Sequence, residues 1–204
     1  MGKTLVLLFH PNMKRSRANA ALASAAADLD DVDVVDMQAV FPQGLDLFRD
    51  AEGEAARLLE AERIVLQFPV QWYSTPPLLK AWEDAVLTRM FYIAYEEEGL
   101  RLEGRPFMLA ATAGNVREAY QPGGTNLFSM DSLFAPLKAT AHRCGLVWYE
   151  PFLTFDFGIP STFGQEAETT DPQLGFSYHS YCLTGAAMNM AGVSGLPGCK
   201  TQHA

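Results

Sequence analysis

Three short stretches carry residue types suited to holding a flat, phosphorylated ligand. In one, Pro69, Val70, Gln71, Trp72, Tyr73 and Ser74 lie between an apolar run and the pair Pro76-Pro77. They combine aromatic surface for stacking with hydrogen-bonding groups for ring heteroatoms. In another, residues 10–19 separate an apolar run from an alanine-rich segment. Free backbone N–H groups and the helix dipole at such a helix start favour a phosphate monoester. Ser16 and Asn19 add side-chain hydrogen bonds there, and Lys14, Arg15 and Arg17 add positive charge. Ser16 is equally an ordinary helix cap, and the two roles are compatible because a cap faces the same orphan amides. The stretch has neither G-x-x-x-x-G-K nor G-x-G-x-x-G, so it is neither a P-loop nor a dinucleotide fingerprint. The third stretch is Thr112, Ala113, Gly114 and Asn115, followed shortly by Tyr120. Small residues let the backbone approach a ring closely, and Gly114 permits dihedrals that side chains exclude.

Strands and helices must bring these stretches together. Residues 4–9, 32–36, 64–68 and 107–111 read as strands, and residues 146–149 open a fifth. Residues 18–29 and 54–60 read as helices. Another begins at Pro76-Pro77, with Leu78, Leu79, Trp82, Ala85 and Val86 at helical spacing. A long amphipathic helix is expected from Leu127 to Cys144, ended by Gly145. Strands alternating with helices give an α/β fold, a doubly wound five-stranded parallel sheet with helices on both faces. Such sheets bind ligands outside the carboxyl ends of their strands, where strand order switches.

A chain of 204 residues with 49% hydrophobic content suits one domain. Its net charge of -9 argues against a nucleic-acid binder, which needs a basic face to displace counterions. Cys144, Cys182 and Cys199 are widely spaced and lack a C-x-x-C pattern, so neither a disulfide scaffold nor a metal site is expected. No apolar run approaches the roughly 20 residues of a membrane span, and residues 1–3 lead into the first strand without a small-residue cleavage site. A cytoplasmic protein without membrane insertion is expected. Residues 158–204 hold only four charged side chains, Glu166, Glu168, Asp171 and Lys200, among many Gly, Ser, Thr and Pro. The domain is therefore expected to span residues 1–157, with residues 158–204 an atypical, mobile tail or an altered carboxyl terminus.

The run from Phe68 to Trp82, together with His10, Ser16, Ala18 and Asn19, resembles the flavodoxin-like NAD(P)H:quinone oxidoreductases. Within them it lies near the ancillary oxidoreductase subunits of glutathione-gated potassium efflux systems. The resemblance covers residues 4 to about 156 and resumes in residues 134–141, 144–146 and 150–152. It implies a bound flavin, FMN or FAD, with the bacterial ancillary subunits favouring FMN. The flavin phosphate is then held by His10, Ser16, Ala18 and Asn19, and the ring by Pro69, Val70, Gln71, Trp72, Tyr73, Thr112, Gly114 and Asn115. Tyr120 falls near the pyrimidine edge as a hydrogen-bonding catalytic group. Hydride transfer from NAD(P)H through the flavin to a quinone-like acceptor follows, in a homodimer for which residues 90–95 offer apolar contact surface. That surface is alternatively helix continuing into the core. Ala113 and Asn115 depart from the family's Thr-Thr-Gly-Gly, and Asn126 stands near where the animal enzymes carry a histidine. His142 reads as a surface or packing residue. Two other functions use the same fold: a regulatory flavoprotein docking on a transporter's cytoplasmic domain, and a single-electron flavodoxin.

Overall fold

The computed structural model describes residues 2–155, and the expected tail lies outside them. Strands β1 (Thr4–Leu8), β2 (Val32–Asp36), β3 (Arg63–Pro69) and β4 (Pro106–Thr112) are parallel, in the order β2-β1-β3-β4. Beside β4 lie β5 (Val147–Trp148) and β6 (Phe152–Thr154), each parallel to it. The expected fifth strand is thus one sheet position filled by two short strands. Pro151, which has no N–H for a ladder bond, sits in the break.

Side-chain alternation sorts the core onto two faces. Leu5, Leu7, Phe9, Ile64, Leu66, Phe68, Phe107, Leu109 and Ala111 belong to one cluster. There they pack with α3 (Ala51–Glu60) and α4 (Pro77–Trp82). Val6, Val65, Met108 and Ala110 cluster on the other face with Ala25 and Ala26 of α1 (Ala18–Ala27). Helices therefore cover both faces, as the strand–helix alternation implies. A turn the sequence reading did not identify, α2 (Met37–Val40), follows β2, its amides at Gln38 and Ala39 donating to Asp36 Oδ1.

Two differences from the expected helices have physical causes. The helix from Pro77 continues beyond Trp82 in wide π-helical turns, Glu83–Leu87 and Arg89–Ile93, and breaks at Ala94. Met90 and Phe91 are thereby buried while Tyr92 and Ile93 are exposed, so the segment 90–95 is half core and half surface. A turn of helix at α5 (Leu100–Leu102) leads back toward β4. The long helix expected from Leu127 starts later and is divided. Leu127 is left-handed (φ 64), and Ser129 caps α6 (Met130–Leu133) by accepting from the Ser132 amide. Phe134 leaves helical geometry before α7 (Ala135–Arg143), which has Pro136 in its first turn. Proline is accommodated there because first-turn amides have no intrahelical acceptor. Among the described residues no helix is long and apolar enough to cross a membrane.

At the carboxyl ends of β3 and β4 the α1-facing positions turn polar. Gln67 and Thr112 are buried there, with Asn19 of α1 between them. Asn19 Nδ2 donates to Thr112 Oγ1 at 2.9 Å, and Gln67 Nε2 donates to the Asn19 carbonyl oxygen at 2.9 Å. A helix and two strands are locked together directly beneath the loops.

Truncation of Asn19 leaves the Thr112 hydroxyl without its donor, and buried polar atoms left unpaired cost about 1–3 kcal/mol. Asn19→Ala is expected to lower the unfolding free energy by about 2 kcal/mol, read from urea denaturation. Glu83 supplies a pH test. Burial pushes its carboxyl from 4.5 up to about 7, against the pull of Lys80 and with a smaller push from Asp84. Between those values the folded chain keeps a proton that the unfolded chain has released, so stability falls as pH rises through this window. Glu83→Gln is expected to flatten that slope and to raise the urea midpoint at pH 8 more than at pH 5.

Candidate active site

The strand order places the switch point between β1 and β3, and the loops after β1, β3 and β4 meet there. In the first loop, His10 Nδ1 accepts from the Asn12 amide at 3.0 Å, and burial lowers the imidazole pKa. A neutral ring that serves as an acceptor follows. Ser16 Oγ accepts from the Asn19 amide at 3.2 Å, the bond of a helix cap. Its hydroxyl proton stays available. The amides of Arg17 and Ala18 have no hydrogen-bond partner among the described residues, so two donors at the start of α1 are open to an anion. Asn19 is 2% exposed, and its side chain is engaged with Thr112 and Gln67.

The second loop folds differently from a simple strand-to-helix turn. Val70 donates to the Thr112 carbonyl at 2.8 Å, which continues the sheet past Pro69. Gln71 and Ser74 then exchange backbone hydrogen bonds of 2.9 and 3.0 Å around Trp72 and Tyr73. Both central residues have positive φ, 47° and 66°. This is the geometry that two-residue hairpins ordinarily assign to Asn-Gly. Bulky side chains there cost about 1–2 kcal/mol each. Trp72 is nonetheless 89% exposed and Tyr73 46% exposed, so neither is packed in the core. Strained backbone of this kind clusters at ligand clamps and active sites.

The third loop leaves β4 through Ala113 and Gly114. Gly114 is exposed but lacks a positive φ. Left-handed backbone occurs nearby at Trp72, Tyr73 and Gly123 (φ 81). The loop stays close to the sheet because Ala113 is buried and its amide donates to the Thr154 carbonyl at 2.8 Å. Asn115 Oδ1 accepts from the Val116 amide at 2.9 Å. Tyr120 is half-buried against Phe155, with ring centroids 5.8 Å apart. Burial, and then nearby Tyr73, raise its phenol above the usual value, while the Asn115 backbone acts weakly against them. The phenol stays protonated at neutral pH and can donate. Tyr73 itself reaches Asn126, its hydroxyl donating to Oδ1 at 3.4 Å.

The loops are therefore joined by Asn19–Thr112, Val70–Thr112 and Tyr73–Asn126. His142 is exposed on α7 and takes no part. Gln67 escaped the sequence reading, although a polar residue inside a buried apolar run must find a hydrogen bond and so signals a structural network. These contacts fit a flavin mononucleotide: open amides and a hydroxyl at one end, projecting aromatics at the other, and a buried Asn126 amide nitrogen without a partner among the described residues.

Known proteins are similar to this chain in sequence and fold. A family model described as flavodoxin-like fold matches residues 2–171. A Bacillus subtilis protein named uncharacterized NAD(P)H oxidoreductase YdeQ is 40% identical over 153 residues, covering 75% of each chain. The ancillary protein KefF of a glutathione-regulated potassium-efflux system from Klebsiella pneumoniae is 36% identical over 148 residues, 72% of this chain and 80% of KefF. Among solved structures, general stress protein 14 from Treponema denticola in complex with FMN superposes with a TM-score of 0.73 at 27% identity, over 93% of this chain and 98% of that one. An NADPH-quinone reductase from P. pentosaceus gives 0.66 at 26% identity, over 88% and 97%. This chain belongs to the flavodoxin-like fold family.

Proposed function

We propose that the chain is an FMN-dependent NAD(P)H oxidoreductase with a quinone-like acceptor. One observation carries the reading: open phosphate donors at the start of α1 and an exposed, strained aromatic turn are joined through Thr112 into a single site. The FMN complex and the NADPH-quinone reductase among its structural neighbours support it. A bound flavin would supply hydride-transfer chemistry between NAD(P)H and the acceptor.

The protein's own part is placement and polarity. The amides of Arg17 and Ala18 and the Ser16 hydroxyl would hold the phosphate, with Lys14, Arg15 and Arg17 in the same loop and helix start. Asn19 contributes by fixing that helix start to the sheet. Residues 69–73 and 112–115 would hold the ring, with Trp72 offering a stacking face. Tyr120 keeps its proton and would donate a hydrogen bond to the bound ring. A protein nucleophile is not required, because the transferred electrons reside on the cofactor.

The reading extends to a cytoplasmic homodimer. Tyr92 is 73% and Ile93 59% exposed, beside an open groove of about 490 Å³ between the π-helical turns and α7. Leu87, Phe91, Leu133 and Leu137 line this groove, a surface suited to a second copy. The KefF relative favours a second reading, regulation of a potassium efflux transporter, which co-purification with such a transporter would support.

Denaturing the purified protein and chromatographing the released cofactor tests the central claim. Stoichiometric FMN is expected, with NAD(P)H oxidation that depends on added quinone. FAD in its place would change the cofactor, and colourless protein that takes up neither flavin would overturn the reading. Trp72→Gly separates strain from binding. It relieves one left-handed position, so the flavin-free protein should keep or raise its urea midpoint, while FMN affinity, read by quenching of flavin fluorescence, should fall at least about tenfold, or 1.4 kcal/mol.

A further inference from the structure

Arg117 is a cation held in place without a carboxylate. Its guanidinium carbon sits 4.4 Å from the centre of the Phe155 ring, and its side chain forms no ion pair among the described residues. Elsewhere oxygen atoms hold the arginines. Arg49, Arg57 and Arg89 pair with carboxylates, while Arg63 and Arg105 donate to hydroxyl or carbonyl oxygens. A ring face fixes a guanidinium and leaves its N–H edges unused. Glu118, next in the chain, is exposed and does not pair with it. The backbone beneath is also set. Arg117 opens a short 3-10 turn, Arg117–Ala119, in which the Tyr120 amide donates to the Arg117 carbonyl at 3.0 Å. Ala119 is buried, and its carbonyl accepts from the Asn126 amide at 2.9 Å.

This placed cation stands at the rim of the site. The Phe155 ring beneath it also meets Tyr120, with centroids 5.8 Å apart, and Tyr120 lies near Tyr73. A row of side chains thus leads from the aromatic turn outward to Arg117. A guanidinium fork with free N–H groups matches a phosphate, and one already ordered loses little side-chain freedom on binding it. The flavin phosphate has its own donors at the start of α1, on the loop after β1, whereas Arg117 is on the loop after β4. A second phosphate is therefore the group it suits. A nicotinamide dinucleotide with its nicotinamide at the Trp72-Tyr73 turn extends its adenosine away from the ring. NADPH differs from NADH by a 2′-phosphate on that adenosine ribose, a group that an arginine accommodates in nicotinamide-dinucleotide sites. We propose that Arg117 is a specificity-determining residue that holds the adenosine 2′-phosphate of NADPH and makes NADPH the preferred hydride donor. The proposal rests on the oxidoreductase reading above and narrows its co-substrate.

Two measurements on full-length protein test it, wild type against Arg117→Gln and Arg117→Lys. Isothermal titration calorimetry with 2′,5′-ADP and with 5′-AMP needs no flavin. Wild type should bind 2′,5′-ADP at least about tenfold more tightly than 5′-AMP, Arg117→Gln should erase the difference, and Arg117→Lys should keep part of it. The second measurement is NAD(P)H oxidation by FMN-loaded protein with 1,4-benzoquinone. Arg117→Gln should lose about tenfold or more in kcat/KM for NADPH, while kcat/KM for NADH and the affinity for FMN stay within about twofold. Equal binding of the two nucleotides by wild type overturns the proposal. So does an equal loss with NADPH and NADH in Arg117→Gln, which is what a merely structural role gives. Protein that takes up no flavin overturns the oxidoreductase reading, and the calorimetry still decides whether Arg117 holds a 2′-phosphate. Flavin-loaded wild type that uses NADH and NADPH equally overturns this proposal alone.

Discussion

The polar contact of Asn19 with Gln67 and Thr112 fixes everything above it. An α/β sheet leaves the carboxyl ends of its strands open, and the loops leaving them have no reason to converge unless something beneath them is rigid. Here one buried amide ties the first turn of α1 to two strands at once. The same Thr112 that receives the Asn19 side chain offers its carbonyl to Val70. A shift of α1 by one turn, or a slip of β3 against β4, would break these bonds together and leave buried polar atoms without partners. Register and helix position are thus coupled at the site, not merely in the apolar core, which tolerates small displacements far better than a hydrogen-bond network does.

From that rigid floor the site changes character toward its rim. At the start of α1 the structure is relaxed: a capped helix start with open amides, where an anion would add bonds without requiring the protein to move. At the turn between β3 and α4 it is strained, with Trp72 and Tyr73 in left-handed conformations and turned outward. The cost of a few kcal/mol is offset by the buried strand and helix on either side, whose core residues include Phe68, Leu79 and Trp82. Trp82 is itself pinned, its indole N–H donating to buried Glu54 at 3.1 Å. The aromatic turn therefore projects from two anchored ends, and its shape is imposed from outside.

Sequence and structure agree where local pattern and burial act together. The four long strands, α1, and the proline-started α4 were legible because alternation, apolar runs and helix-start chemistry all point the same way. So was the meeting of the loops, since it follows from strand order. Other features depend on distant contacts. The positive φ at Trp72 and Tyr73 contradicts the preferences of those residues and is set by the Gln71–Ser74 pairing. Asn19 looked like a ligand donor because its strand partners, Gln67 and Thr112, are 48 and 93 residues away. The split of the helix at Phe134 was written in Pro136, yet the apolar spacing from Leu127 to Cys144 outweighed that signal. Periodicity reports which face is buried and is silent about where the backbone stops being a helix.

The acidity of the chain does not conflict with a phosphate at α1. Charges separated by more than a Debye length, about 8 Å at physiological salt, are largely screened from one another when exposed. A net charge of -9 spread over the surface therefore contributes little at one loop. What acts there is within a few ångströms: unpaired amides, a free hydroxyl proton and three cations that form no ion pair among the described residues. His10 reinforces the distinction, since burial keeps its imidazole neutral and withholds a charge that the loop does not need. The sign of the local field decides what this loop can hold.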